Sequence, residues 1–404
     1  MDPFRRRALV VLKAVFADGS LPLRLIFWDG DAFDFAAAPT VAIVFSRPGL
    51  WRALLKGDFA LLGDAHVKGE LVVEGDLTDL IEIGVRLSKR LEALSAFRAL
   101  KFLASLRLRR RSLERDAANV RRHYDVSDAF YCLWLDKRLV YSCAYFHDGD
   151  EDIDRAQEQK LDHICRKLML RPGEALLDVG CGWGALLQWA AERHGVTGHG
   201  VTLSQCQFHH AKERLSSLHG KATVALRHFA ELEDSAAFDK IASVGMYEHV
   251  GADAIASYLK KITRLLKPGG AFLNHGIISP GGARRGPSGG DFIERYVFPG
   301  GSVSSLAVLV EEMAKVGLEV IDIEDLRPHY ARTLMLWSDG LEKNREHAIE
   351  LVGAETFRIW RVYLAGMAYA FDHGFLSIAQ VLAVKPEGGR PARRPWTRAH
   401  QYIF

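Results

Sequence analysis

The 404-residue sequence predicts an α/β protein in two parts, a larger domain on a parallel sheet and a smaller α+β domain ahead of it. Three observations predict it. The length suits two domains of about 100–200 residues each. Hydrophobic residues make up 49% and charged residues 25%, which excludes a disordered, collagen-like or disulfide-scaffold chain. From residue 175 onward short apolar runs alternate with helical segments, the order that builds a parallel sheet covered on both faces.

Residues 1–80 form the small domain. Arg5-Arg6-Arg7 precedes an apolar stretch, Ala8 to Ala17, but Lys13 breaks it, Asp2 precedes it and no small-residue cleavage site follows, so it reads as a helix and not a signal peptide. Thr40 to Phe45 and Gly69 to Gly75 cluster or alternate as strands do. Residues 81–114 form a basic helical connector, whose pattern begins at Leu77. Leu80, Leu87, Leu91 and Leu94 carry a helical stripe continued by Phe97, Leu100 and Leu103, and the polar side ends in Arg107, Arg109, Arg110 and Arg111. Between Arg86 and Arg122 twelve Lys or Arg face three acids, while the whole chain carries only +3. Whole-chain charge therefore predicts no nucleic-acid partner, and the local patch suits either a solvated linker face or an anionic membrane surface.

Residues 115–385 form the larger domain. Ala175 to Val179 is a buried strand, followed by a glycine turn and a helix from Ala185 to His194. Gly198 to Leu203 is a second strand, leading to a helix through Leu215. Lys240 to Val244, a helix near Ala254 to Leu266, a Pro268-Gly269-Gly270 turn and Ala271-Phe272-Leu273 follow. Residues 386–404 are a Pro/Arg-rich tail expected to be loose. Five scattered cysteines without a C-x-x-C pair fit a reducing compartment and no zinc site. No apolar run reaches the ~18–20 residues of a membrane span, so a cytoplasmic protein is expected.

Asp178-Val179-Gly180-Cys181-Gly182-Trp183-Gly184 sits between a strand and a helix, where glycines permit a tight turn and the helix offers unpaired N–H groups. A nicotinamide site would show G-x-G-x-x-G and an acid ~20 residues on. Here the spacing is G-x-G-x-G, the next strand ends Thr202-Leu203-Ser204, and the acid stands before the turn at Asp178. The pattern resembles the first motif of S-adenosylmethionine-dependent methyltransferases; a dehydrogenase or a structural turn are the alternatives.

Further blocks follow in order: His123-Tyr124-Asp125, Tyr141-Ser142-Cys143-Ala144-Tyr145-Phe146, the glycine turn, Gly200 to Ser204, Gly245-Met246-Tyr247-Glu248-His249-Val250-Gly251, Leu273 to Ile277, His329 to Leu334 and Gln380-Val381-Leu382. Together, over roughly residues 115–385, they resemble the cyclopropane fatty acid synthase family. The N-terminal region is similar to the smaller domain of its phospholipid-acting members. The resemblance implies a Rossmann-like class I methyltransferase domain. It also implies transfer of a methylene from S-adenosylmethionine to a cis double bond of a phospholipid acyl chain, with bound bicarbonate as base. Residues matching the bicarbonate positions are Cys143, Glu248, His275, Tyr330 and, through its backbone, Ile277. Those matching cofactor positions are Tyr124, Tyr141, Ser142, Asp178, Gly180, Gly182, Gly184, Leu203 and Gln207, with Phe229-Ala230-Glu231 near the adenine. A homodimer is compatible with the resemblance, though no interface signature marks one.

The chemistry suits those residue types. An alkene is a weak nucleophile, and the cation left by its attack must be kept from water. Tyr145, Phe146, Tyr247 and Tyr296 are candidate aromatic faces for it, or plain core. His275 and Tyr330 can donate to a small anion, Glu248 can accept its O–H, and Cys143 offers a weak S–H. Taken singly, Cys143 is a small core residue, His275 a satisfied core histidine and His249 structural. Two rival outcomes stand: a methylene or methyl-branched product, and a non-catalytic lipid-binding relative. Asn274 and Gly276 flank His275 with less apolar neighbours than the family often shows, leaving tunnel shape open.

Overall fold

A computed structural model describes residues 5–6, 9–10, 21–56, 58–75, 77–92, 127–280, 290–297, 303–388, 390–391 and 394–402. The chain forms two compact units. The first gathers Met1–Arg110, Gly286–Val297 and Arg345–Tyr369, and the second Arg111–Arg285, Phe298–Asn344 and Ala370–Phe404.

The first unit is built on a four-stranded sheet, ordered β2-β1-β3-β4, of β1 (Leu23–Ile26), β2 (Ala32–Asp34), β3 (Val41–Phe45) and β4 (Leu71–Gly75). Alternation fixes its buried face: Val41, Ile43 and Phe45 on β3 join Leu23, Leu25, Leu71 and Val73 in one core with Trp51. Gly75 ends β4 at φ +97°, and a Cβ there would lie 2.3 Å from the Thr40 carbonyl, so no other residue fits. Arg5 is buried against Phe27, its guanidinium paired with Asp29 and Asp31. Two later segments join this unit. Arg358 Nε donates to the Val67 carbonyl at 2.8 Å, and Tyr296 donates to Asp64 at 2.8 Å beside the Arg295–Asp64 ion pair. Thus 290–297 and 345–369, expected within one continuous catalytic stretch, are stitched to the small unit by polar side chains that periodicity does not reveal. The expected connector starts as a helix at Leu77–Glu92, with Ile83 in the small unit's core. Arg107, Arg109, Arg110, Arg111 and Tyr124 lie outside the described residues.

The second unit carries a seven-stranded sheet, β10-β11-β9-β8-β5-β6-β7. Its strands are β5 (Ala175–Val179), β6 (Thr197–Thr202), β7 (Ala222–Leu226), β8 (Phe238–Val244), β9 (Leu266–Ile278), β10 (Glu319–Asp325) and β11 (Ser377–Val384). The five strands from β9 to β7 are parallel, as expected. β11 is antiparallel to both neighbours, which the expectation of a parallel sheet missed. The helix Arg327–Lys343 and a helical segment Arg345–Asp372, broken at Gly353 (φ +79°), intervene before it, and the chain re-enters where it left: Leu326 N–H donates to the Ile378 carbonyl at 2.8 Å. Helices cover both faces. Leu161, Ile164, Leu186 and Trp189 pack on one side, and Tyr258, Leu259, Ile262, Leu309 and Met313 on the other. The tail is not loose throughout: Arg398 pairs with Asp322 at 2.5 Å and Tyr402 donates to Glu324 at 3.4 Å, leaving Trp396 fully exposed.

Candidate active site

The parallel strands end together, and the loops after them form a cavity of about 250 Å³. Its floor is the turn after β5. Gly180, Gly182 and Gly184 take φ of +80°, +54° and +83°, values that L side chains rarely adopt. The Val201 carbonyl accepts both the Gly180 and Cys181 N–H groups at 3.0 Å, locking the turn to β6. A Cβ on Gly182 would meet nothing within 4 Å, so this residue opens onto space, whereas one on Gly184 would lie 3.2 Å from Ala211. Gly184 accordingly packs the helix Ala185–His194 against its neighbour and does not line the cavity.

Seven of the expected cofactor residues do line it: Tyr141, Ser142, Asp178, Gly180, Gly182, Leu203 and Gln207. Phe229 and Ala230 line it too, while Glu231 is exposed. Gln207 accepts from the Thr202 hydroxyl at 2.8 Å, so the end of β6 holds a neutral hydrogen-bonded pair where a nicotinamide site would place an acid. Asp178 is fully buried, and burial pushes its carboxyl up to about 7, against the pull of Lys160. Its Oδ1 has no hydrogen-bond partner among the described residues. An open cradle at Gly182 and an unsatisfied carboxylate oxygen fit a cofactor with a cationic end.

A second cluster lies on β9 and the loops beside it. Glu248, on the short helix Tyr247–Val250, accepts the Ile277 N–H through Oε1 at 2.7 Å. Its Oε2 is buried without a partner among the described residues, and burial pushes the carboxyl up to about 7. His275, two residues before Ile277 on β9, is wholly buried, which holds its imidazole well below the usual range and neutral. Its Nδ1 accepts from Gln380 Nε2 on β11 at 3.1 Å, which assigns the proton to Nε2, also without a partner among the described residues. The His275 carbonyl receives the Gly245 N–H at 2.9 Å, and a Cβ on Gly245 would stand 3.7 Å from Ser142. This strand end therefore adjoins the cavity wall.

Cys143 is buried, its thiol pushed far up by burial, and its S–H donates to the Ala144 carbonyl at 3.2 Å. Its sulfur also stands 3.9 Å from the Leu326 carbonyl, which accepts the Tyr330 N–H at 3.0 Å. Tyr330 packs on Phe371 and meets Trp337 edge-on, and the Trp337 ring centroid also lies 5.3 Å from that of Tyr141. One indole thus contacts both Tyr330 and Tyr141, a residue of the cavity wall. Of the aromatic candidates, Tyr145 stacks between His163 and His329, Tyr247 packs on Gly276, and Tyr296 belongs to the first unit on Asp64. Two expectations change in detail. Ile277 N–H is engaged by Glu248, and His249, read as structural, lines the cavity. Sequence reasoning also missed Gln157 and Lys160, buried on the helix Ile153–Lys167.

Comparison with known proteins agrees with this geometry. The family profile described as mycolic acid cyclopropane synthetase matches residues 111–381, and a domain family of unknown function matches residues 11–92. A probable fatty acid methyltransferase of Pseudomonas putida is 42% identical over 388 residues, 95% of this chain and 96% of that one. Cyclopropane mycolic acid synthase 1 of Mycobacterium tuberculosis is 35% identical over 280 residues, 66% of this chain and 97% of its own. The crystal structure of a mycolic acid cyclopropane synthase complexed with SAH and CTAB superposes with TM-score 0.63 at 35% identity, over 67% of this chain and 98% of that one.

Proposed function

The chain belongs to the mycolic acid cyclopropane synthetase family of S-adenosylmethionine-dependent methyltransferases, and on that premise we propose that it cyclopropanates unsaturated phospholipid acyl chains. One observation carries this reading: Glu248 Oε2 and His275 Nε2, a buried acceptor and a buried donor, both lack partners among the described residues. Such a pair suits a small anion that carries its own O–H. Glu248, His275 and Tyr330, with Cys143, would hold bicarbonate, which when bound would supply an acceptor for the proton released on ring closure, while the Ile277 N–H, donating to Glu248 Oε1, holds that carboxylate in place.

The residues divide the work. The cavity wall of Tyr141, Ser142, Asp178, Gly180 and Gln207 binds S-adenosylmethionine, which supplies an electrophilic methyl. When bound, that sulfonium would give up its methyl to the alkene carbon as the thioether leaves, so the positive charge would come to rest on the acyl chain, in a pocket whose walls this protein supplies. Buried aromatic rings such as Tyr330 and Trp337 exclude water that would otherwise trap the cation as an alcohol. His275 Nε2–H orients the anion and Glu248 Oε2 accepts its O–H, so loss of a proton from the new methyl closes the ring. The N-terminal unit supports a phospholipid substrate, because the mycolic acid synthases align over only about two thirds of this chain. The expected membrane contact is peripheral and electrostatic, through Arg107, Arg109, Arg110 and Arg111. No helix among the described residues is long and apolar enough to cross a bilayer.

A second reading has its own support, since the relative matching 95% of the chain is named a fatty acid methyltransferase. There the same cation loses a proton from a neighbouring chain carbon, giving a methyl-branched alkene, or shifts a hydride and then loses a proton from the new methyl, giving a methylene branch. Lipid mass spectrometry with proton NMR, on a host with and without the protein, tests both. A one-carbon mass gain with cyclopropane ring protons supports ring closure. The same gain without them supports branching and refutes the first reading.

A further inference from the structure

The helix Ile153–Lys167 presents polar residues on its buried stripe, and two of them grip the loop that forms the cofactor wall. Gln157 Nε2 donates to the Val140 carbonyl at 3.1 Å and the Ser142 carbonyl at 2.8 Å. One turn later Lys160, only 2% exposed, donates from Nζ to Ser142 Oγ at 2.9 Å, and it lines the cavity itself. A hydroxyl that accepts from an ammonium directs its own O–H away from that ammonium. Across the same cavity stands Asp178, with Oδ1 unpartnered among the described residues. One wall thus offers an oriented donor backed by a cation, and another offers a buried carboxylate. That arrangement complements a zwitterion, the chemical form of the cofactor's amino-acid end.

We propose that Lys160 is the positioning residue for the cofactor's amino-acid end: it fixes Ser142 as a donor to the ligand carboxylate and balances the charge of Asp178, which faces the ligand ammonium. The inference rests on the cofactor assignment and is independent of the acyl substrate. Ionisable groups facing the Lys160 ammonium are Asp136 and Cys143 in the loop, Asp178 on β5 and His275 on β9. Burial raises the Cys143 thiol and lowers the His275 imidazole, so neither titrates beside it near neutrality. Burial likewise raises the Asp136 carboxyl, which caps the Arg138 and Val140 N–H groups. Burial draws Lys160 down to about 8 and pushes Asp178 up to about 7. The competent charge pair is therefore lost above the first value and below the second.

Calorimetric titration of the full chain with S-adenosylhomocysteine, on both sides of neutrality, tests this. Lys160→Met and Ser142→Ala should each weaken binding roughly ten- to a hundredfold, the scale of one charge-assisted hydrogen bond. The double variant should be no weaker than the poorer single variant, because both changes remove one contact. Wild-type affinity should fall on the alkaline side, and Lys160→Met should lose that limb. Ser142→Ala keeps the buried ammonium and decides the matter should Lys160→Met fail to fold: unchanged affinity there overturns the role. Additive losses, or wild-type affinity in Lys160→Met, overturn it as well. A wild-type chain that does not bind would overturn the cofactor assignment and this inference together, whereas binding unaltered by Lys160→Met overturns the inference alone.

Discussion

Replacing Glu248 by glutamine separates the role of the carboxylate in turnover from its effect on folding. The carboxyl is fully buried, with one oxygen on the Ile277 N–H at 2.7 Å and the other unsatisfied among the described residues. Burial raises it from an ordinary 4.5 to about 7, so the folded state holds the proton more tightly than the unfolded chain does. The penalty is absent below the ordinary value, grows as pH rises between the two values and is full above the higher one. At about 1.4 kcal/mol for each tenfold change in proton affinity, it reaches roughly 3 kcal/mol. Glutamine keeps an oxygen for Ile277 and carries no charge. At alkaline pH Glu248→Gln should therefore raise the melting midpoint, by roughly 6–12 °C at about 2–4 °C per kcal/mol, while in acid the two proteins should converge. Turnover should collapse, and S-adenosylhomocysteine affinity should stay within about twofold, a change of ~0.4 kcal/mol, since Glu248 does not line the cofactor cavity. Calorimetric melts at two pH values, with initial rates and a binding titration, check all three. A variant that melts no higher than wild type in alkali, or that keeps turning over, would refute the reasoning.

Other outcomes follow from the same geometry. Turnover limited by chemistry should rise with pH through about 7, as Glu248 ionises and becomes able to accept an O–H; rates measured at saturating cofactor check this. Gly200→Ala would place a Cβ 2.6 Å from Leu187 Cδ1 and 2.7 Å from Cys181 Sγ, so a loss of about 1–3 kcal/mol in denaturant unfolding and weaker cofactor binding are expected. Neutralising Arg107, Arg109, Arg110 and Arg111 should weaken flotation on anionic vesicles more at low salt than at high, and equal binding at both would remove the membrane role.

Legibility in the sequence followed the strength of the local signal. The strand–glycine–helix passage from Ala175 to His194 was readable because three glycines and a buried strand leave few alternatives, and their positive φ values give the reason. Glu248, His275 and Tyr330 were legible only through ordered blocks over a long stretch; alone, a buried histidine carries no sign of function. Lys160 and Gln157 were missed because each looks like the polar side of an amphipathic helix. A signal was present: Gln157, Lys160, Leu161, Ile164 and Lys167 share one helical stripe, so polar residues sit where apolar ones belong. The reversed direction of β11 was hidden for another reason. Its eight residues are all buried, and a uniformly buried strand reads alike in either direction.

The stitching of the chain between its units has a practical corollary. Five crossings separate the segments of one unit from those of the other, so no single cut divides them. A fragment beginning at residue 115 would keep Arg345–Tyr369 but lose the Val67 carbonyl that Arg358 binds. Expressed alone, such a piece would bare a sticky, orphaned helix to the solvent, and the small unit would lack the struts that brace it. Domain dissection by truncation is therefore a poor instrument here, and point changes along the seams are the sharper one.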